Sequence, residues 1–180
     1  MKDSKKISAF LRGNERAFED LMKKYQRQIF YLVRAMVADT EEARDITQKT
    51  FIIAFNKLHF LKKKDQFKAW LFKIAVNKAR DHLKTKKEGM EFEAWMSSDR
   101  GPSPEAACMK NDLKRLIRDA LSCLPPRQKE VIVLRIFQDL DFKDIALILE
   151  MKSGTARANF HFGLIKIRDH LRKSGVSHEL

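Results

Sequence analysis

QFKAWLFKIAVNKARDHLK, residues 66 to 84, reads as one helix with two faces. At about 100° per residue, Phe67, Leu71, Ile74 and Ala75 share one side, and Phe72, Val76, Ala79 and Leu83 widen it into a broad apolar arc. A helix this widely apolar must pack on two or more neighbours, so the stretch predicts a helical domain built around it. What remains is a narrow line at steps of three and four: Gln66, Trp70, Lys73, Asn77, Arg80 and Lys84. An aromatic, an amide and cations in one row supply stacking, base-edge hydrogen bonds and phosphate neutralisation, the needs of a nucleic-acid surface. The plainer alternative is a solvated outer face, with Trp70 a core-edge aromatic.

Composition agrees with an all-helical chain. Only six Gly and four Pro occur in 180 residues, and alternating Val, Ile or Thr runs are few. The net charge of +13 is unevenly spread: +10 in residues 1 to 84, −2 in 85 to 107 and +5 in 108 to 180. Two basic blocks around an acidic connector point to a polyanionic partner met by both, and nucleic acid fits best. No apolar run approaches the roughly 20 residues of a spanning helix. MKDSKKISAF at the start has no signal-peptide core, so a cytoplasmic protein is expected. Cys108 and Cys123 are the only cysteines, without CxxC, and the five histidines are scattered. Neither a metal site nor a cofactor is expected. A phosphate-binding glycine loop and a nucleophile elbow are both absent from the sequence, so no catalytic residue is expected.

Outward from the central stretch, a first helix is expected over about Asn14 to Val37, with Phe18, Leu21, Tyr25, Ile29, Leu32, Val33 and Met36 on one face. Asp39 or Thr40 can cap a second, with Glu41 and Glu42 in its first turn. Its inner side carries Ala43, Ile46, Thr50, Ile53, Ala54, Lys57 and Leu58. Asp45, Gln48 and Lys49 point away, with Phe51 and Ile52 beside them, a mixed patch suited to a protein partner. Asp65 is the expected cap of the central helix. Residues 85 to 107, rich in Gly, Pro and Ser, read as a flexible linker whose Phe92, Trp95 and Met96 could dock.

The second block opens near Met109, with Leu113, Leu116, Ile117, Ala120 and Leu121 on one face. Pro125 and Pro126 start the next helix, which Val131, Leu134, Ile136 and Phe137 continue to about Gln138. Asp141 caps a short helix, Phe142 to Leu149, with Asp144 at its third position. After Glu150 to Lys152 a longer helix begins at Ser153 or Gly154. Its core face is Ala156, Phe160, Gly163, Leu164, Ile167 and Leu171, and Arg157, His161, Arg168 and Arg172 line an adjacent edge. Short helix, tight turn and basic second helix form a helix-turn-helix.

ARDITQKTFIIAF (43 to 55), FKAWLFKIAVNKARDHL (67 to 83) and LPPRQKEVIVLRIFQDLDFKDIALIL (124 to 149) together resemble the extracytoplasmic-function sigma factors of bacterial RNA polymerase, over about residues 10 to 172. The resemblance implies an all-α chain of two small domains: sigma-two (1 to 84), a linker (85 to 107) and sigma-four (108 to 180). It implies a non-enzymatic factor giving core polymerase promoter recognition, strand opening and initiation. Asp45, Gln48, Lys49 and Phe51 would then meet the polymerase clamp. Trp70, Lys73, Asn77, Arg80 and Lys84, with the loop His59 to Gln66, would meet the minus-ten element. Thr155, Arg157, Ala158, His161 and Phe162 would face the minus-thirty-five element. The implied partners are core polymerase, promoter DNA and an anti-sigma factor, with no stable homo-oligomer.

Five positions depart from the family pattern, the first being Lys49, which stands where an acid is common and so tunes the clamp contact differently. Glu150 stands where Gly is usual and Lys152 where Ser is usual, which predicts a left-handed backbone costing on the order of 1 kcal/mol and a cap taken over by Ser153. Ala158 and Phe162 stand where Ser and Arg are common, so the upstream sequence preference is the chain's own. The competing reading is a free-standing helix-turn-helix regulator that does not bind polymerase. It leaves the first 84 residues without a role.

Overall fold

The computed structural model describes residues 3 to 37, 39 to 93 and 116 to 173, with the side chains of 87 to 93 excepted. Among these no strand occurs. The first domain comprises α1 (Asp3–Phe10), α2 (Arg16–Met36), α3 (Thr40–Lys57) and α4 (Phe67–Glu93). The second comprises α5 (116–122), α6 (Pro126–Ile132), α7 (Phe142–Leu149) and α8 (Ser153–Lys173).

The central helix is the axis of the first domain. Phe67, Ala69, Leu71, Phe72, Ala75, Val76 and Ala79 are all buried, with Ile74 and Leu83 half-buried. They meet Leu21, Tyr25, Ile29, Leu32 and Val33 of α2 and Ala43, Ile46, Phe51 and Ala54 of α3 in one cluster. The Asp39 carboxylate caps α3 by accepting from the Glu42 amide at 2.9 Å, as the sequence predicts. Lys57, placed on the inner side by periodicity, is exposed, and Phe51 takes a buried place instead.

Three features of this half differ from expectation. Helix α1 was not foreseen, because eight residues with only Ile7 buried carry too little periodicity. It is held on α2 by Lys6–Asp20 at 3.0 Å, by Lys24–Asp3 at 2.6 Å and by the Tyr25 hydroxyl donating to Asp3. Burial, and then that carboxylate, push the Tyr25 hydroxyl's pKa upward. Asp65 does not cap α4; it sits in a 3-10 turn, Lys64–Gln66, that feeds directly into Phe67. Finally α4 runs to Glu93, beyond the expected boundary at 84, since Lys86, Lys87 and Glu88 are good helix formers and the single Gly89 inside the helix costs only about 1 kcal/mol. Trp95 and Met96 and the side chain of Phe92 lie outside the described residues, as do Cys108, Met109 and Leu113.

In the second domain Pro126 occupies the first turn of α6, and the chain continues as a π-helical turn, Val133–Phe137. That turn buries Val133 and Leu134 but exposes Ile136 and Phe137. Asp141 caps α7, accepting from the Asp144 amide at 2.7 Å. Glu150 closes α7 at φ 56 and ψ 52, the left-handed conformation expected there. Ser153 does not take over the cap of α8: it is the first helical residue, its buried hydroxyl lacks a hydrogen-bond partner, and the Lys152 carbonyl accepts from Ala156 at 3.0 Å. Gly163 lets α8 lie on α6, its missing Cβ directed at Ile132. Leu164 is exposed rather than in the core, and Ile167 and Leu171 are only half-buried; the buried positions of α8 are Ala156 and Gly163.

Both domains share one continuous cluster of buried side chains, and the second is seated on α4 of the first through α7.

Candidate nucleic-acid interface

On α3, Asp45, Gln48 and Lys49 are exposed. Asp45 and Lys49 form an i,i+4 ion pair at 2.6 Å, so part of their charge is spent on each other. Phe51 is 5% exposed and belongs to the core, so it supports the patch from beneath instead of offering a free ring. The apolar contact surface falls to its neighbours. A groove between α2 and α3 is walled by Phe18, Met22, Phe30, Phe51, Ile52 and Phe55, with Gln48 at its edge. Ile52 and Phe55 are exposed there, an arrangement that suits the apolar side of a partner helix.

The α4 stripe is placed differently from its sequence reading. Its members do align, but the second domain covers much of the row. Arg80 donates from Nε to Glu130 Oε1 at 2.8 Å and from Nη2 to Oε2 at 2.6 Å, a two-pronged pair with a carboxylate only 5% exposed. Arg127 approaches the same carboxylate at 3.5 Å. Two helical turns away, Lys73 pairs with Glu150 at 2.6 Å, and that hydrogen bond and charge hold the Glu150 carboxyl below its ordinary range. Lys68, beside the stripe, donates to the Gln138 carbonyl at 3.1 Å. Trp70 is half-buried, its ring 5.9 Å from that of Phe67, and Asn77 is half-buried as well. Lys84 is exposed. Periodicity could not reveal this cover, because Glu130 and Glu150 lie far along the chain and look like surface residues.

The loop before α4 keeps the clearest free aromatic. Phe60 is 72% exposed, its ring 3.9 Å from that of His59, and exposed Lys62 and Lys63 follow. The signal was an aromatic pair opening a run of lysines, a stacking platform beside an electrostatic groove.

On α8, Thr155, Arg157, Ala158, His161 and Phe162 are all exposed; the spacing predicts this for Arg157 and His161, and the family resemblance adds the other three. The Arg157 guanidinium sits 5.7 Å from the centre of the Phe142 ring, which steadies its long side chain. His161 and Phe162 stand side by side with ring centres 5.8 Å apart. Arginine suits guanine edges or phosphates, while Ala158 and Phe162 suit the thymine methyl. Among the described residues no group of His, Cys, Asp and Glu could hold a metal, and no helix is long and apolar enough to cross a membrane.

Comparison with known proteins bears on both halves. The model of Sigma-70 region 2 matches residues 10–96, and that of Sigma-70 region 4 matches 114–167. The RNA polymerase sigma-H factor of Pseudomonas aeruginosa is 30% identical over 167 residues, 87% of this chain and 86% of that protein. The ECF RNA polymerase sigma factor SigW of Bacillus subtilis is 29% identical over 180 residues, covering 93% of this chain and 96% of that one. Among solved structures, CnrH in complex with the cytosolic domain of CnrY shares the fold at a TM-score of 0.75 and 22% identity, over 96% of this chain and 99% of that one. RpoE in complex with the anti-sigma factor NepR from Bartonella quintana does so at 0.75 and 19%, over 86% and 96%.

Proposed function

The chain belongs to the extracytoplasmic-function sigma factors of bacterial RNA polymerase, and from that premise we propose how its surfaces divide the work of initiation. The observation that carries the proposal is the outer face of α8, where five exposed side chains line the second helix of a helix-turn-helix. That helix reads the upstream promoter element as intact duplex, through Thr155, Arg157, Ala158, His161 and Phe162. The α4 stripe of Trp70, Lys73, Asn77, Arg80 and Lys84, with Phe60 of the preceding loop, engages the unstacked strand of the downstream element. Asp45, Gln48 and Lys49, over the apolar groove that Phe51 supports, engage core polymerase. No step needs a catalytic residue, since the factor supplies contacts and core polymerase the chemistry, and the protein works in the cytoplasm where both are found. An anti-sigma factor is its regulatory partner, as NepR is for RpoE.

The test is reconstitution: the purified chain mixed with core polymerase yields promoter-dependent transcripts. Duplex binding with no polymerase dependence would favour the free-standing regulator.

Two further results are expected. The double variant Asp45→Ala and Gln48→Ala weakens core-polymerase binding in a direct titration, by more than about 1 kcal/mol if both are central to the contact, with the helical spectrum unchanged. Unchanged affinity would remove α3 from the polymerase interface. Separately, Arg157→Ala weakens closed-promoter binding by about 1 to 3 kcal/mol if it makes a bidentate guanine contact. Asn77→Ala with Arg80→Ala spares that step and depresses strand opening, read by permanganate footprinting of the bubble. Normal opening by the Asn77/Arg80 double variant would reduce the stripe to a contact between the two domains.

A further inference from the structure

We propose that the contact between the two domains is an autoinhibitory latch, in which Glu130 and Glu150 occupy the cations of the α4 stripe in place of nucleic-acid phosphates. It rests on the reading of that stripe as a nucleic-acid surface.

The first support is the geometry at Arg80. A guanidinium reaching one carboxylate with Nε and Nη2, at 2.8 and 2.6 Å, uses the same fork that would grip a phosphate. Glu130 is almost wholly buried, and among the described residues its cationic contacts are Arg80 of the other domain and the more distant Arg127. A carboxylate so placed is costly unless paired, so the second domain favours the position that supplies Arg80.

The second support is the backbone at Glu150. A non-glycine residue at φ 56 is strained, and glycine would relieve it. Here the strained residue has a side chain that reaches across to Lys73 at 2.6 Å. The turn of the helix-turn-helix thus contributes an anion to the first domain, which glycine could not do. Lys68 adds a third tie, to the Gln138 carbonyl, next to Asp139 at φ 47.

Arg80 and Lys73 lie on the same row of α4, so one docking event engages both. A guanidinium gripped by Glu130 cannot grip a phosphate at the same time. Closure and strand binding are therefore mutually exclusive, and the apparent affinity for single strand is the intrinsic affinity scaled by the open fraction. Any agent that holds the domains apart activates the stripe without touching it.

The test uses the full chain, free in solution. A donor and an acceptor dye, one on each domain, report closure, and a fluorescent single-stranded DNA of about 12 nucleotides reports the stripe. The double variant Glu130→Gln and Glu150→Gln is expected to lose energy transfer and to bind the oligonucleotide about tenfold more tightly. A charge-matched control, Glu15→Gln with Glu41→Gln, corrects for the lost negative charge and is expected to stay closed. Lys68→Met gives the sharper sign: losing a cation lowers nonspecific affinity for a polyanion, whereas opening the latch raises it. Should Glu130→Gln unfold the second domain by circular dichroism, Glu150→Gln with Lys68→Met carries the test. Unchanged energy transfer, or opening with no more affinity gain than the control, overturns the latch. Failure of the parent chain to support polymerase-dependent transcription would instead count against the proposed division of function, since closure is measured without polymerase.

Discussion

Phe72→Ala is expected to cost the first domain about 3 to 5 kcal/mol, most of the stability a small domain holds, and so to leave it largely unfolded or fluctuating at growth temperature. Phe72 is fully buried on the central helix, and removing its ring opens a cavity in the cluster of buried side chains packed around α4. The loss reaches function by two routes. Polymerase binding falls because α3 no longer has a fixed partner beneath its exposed patch. Strand binding falls because the stripe is displayed by the same helix. The ring also lies 5.8 Å from the Lys68 ammonium, so its loss loosens that tie to the second domain. Chemical denaturation followed by far-UV circular dichroism measures the effect. A change below about 1 kcal/mol would place Phe72 outside the core.

Gly163→Val is expected to act on the other domain alone. A Cβ there would meet Ile132 Cγ1 at 3.0 Å and Cδ1 at 3.3 Å, with Gln128 Cβ at 3.6 Å. Two added methyl groups would force α8 away from α6, an overpacking cost of about 1 to 3 kcal/mol. Gly163→Ala is the calibration: its crowding is milder, and it gains about 1 kcal/mol from replacing glycine within a helix, so it should be close to neutral. Because α8 carries the upstream-reading face, the valine variant should lose duplex promoter binding in a gel-shift titration while keeping core-polymerase affinity. Equal loss of both activities would mean that the two domains unfold as one unit, coupled through α4 and α7.

Much of this was legible in the chain itself. The wide apolar arc of Phe67 to Leu83 required a central helix with several neighbours, and it has them. Asp39 and Asp141 marked helix starts because an unpaired backbone amide needs an acceptor close in sequence. The left-handed turn at Glu150 was expected from the glycine usual there in the family, and the basic edge of α8 at Arg157 and His161 from local spacing. These are short-range effects, decided within a few residues of one another.

What only the tertiary structure decided is long-range. Periodicity placed Lys73 and Arg80 on a row outside the core, and they are on it, but no local rule could say that Glu130 and Glu150 would meet them across 50 and 77 positions of chain. Phe51 became core and Lys57 surface because the packing of α2 and α4 sets which strip of α3 is covered. Leu164, at the margin of the apolar arc of α8, was left exposed because the neighbouring helices cover only the strip that holds Ala156 and Gly163. Sequence patterning determines which side of a helix is apolar; how far a neighbour extends along that side, and which distant charge arrives there, depends on the assembled shape.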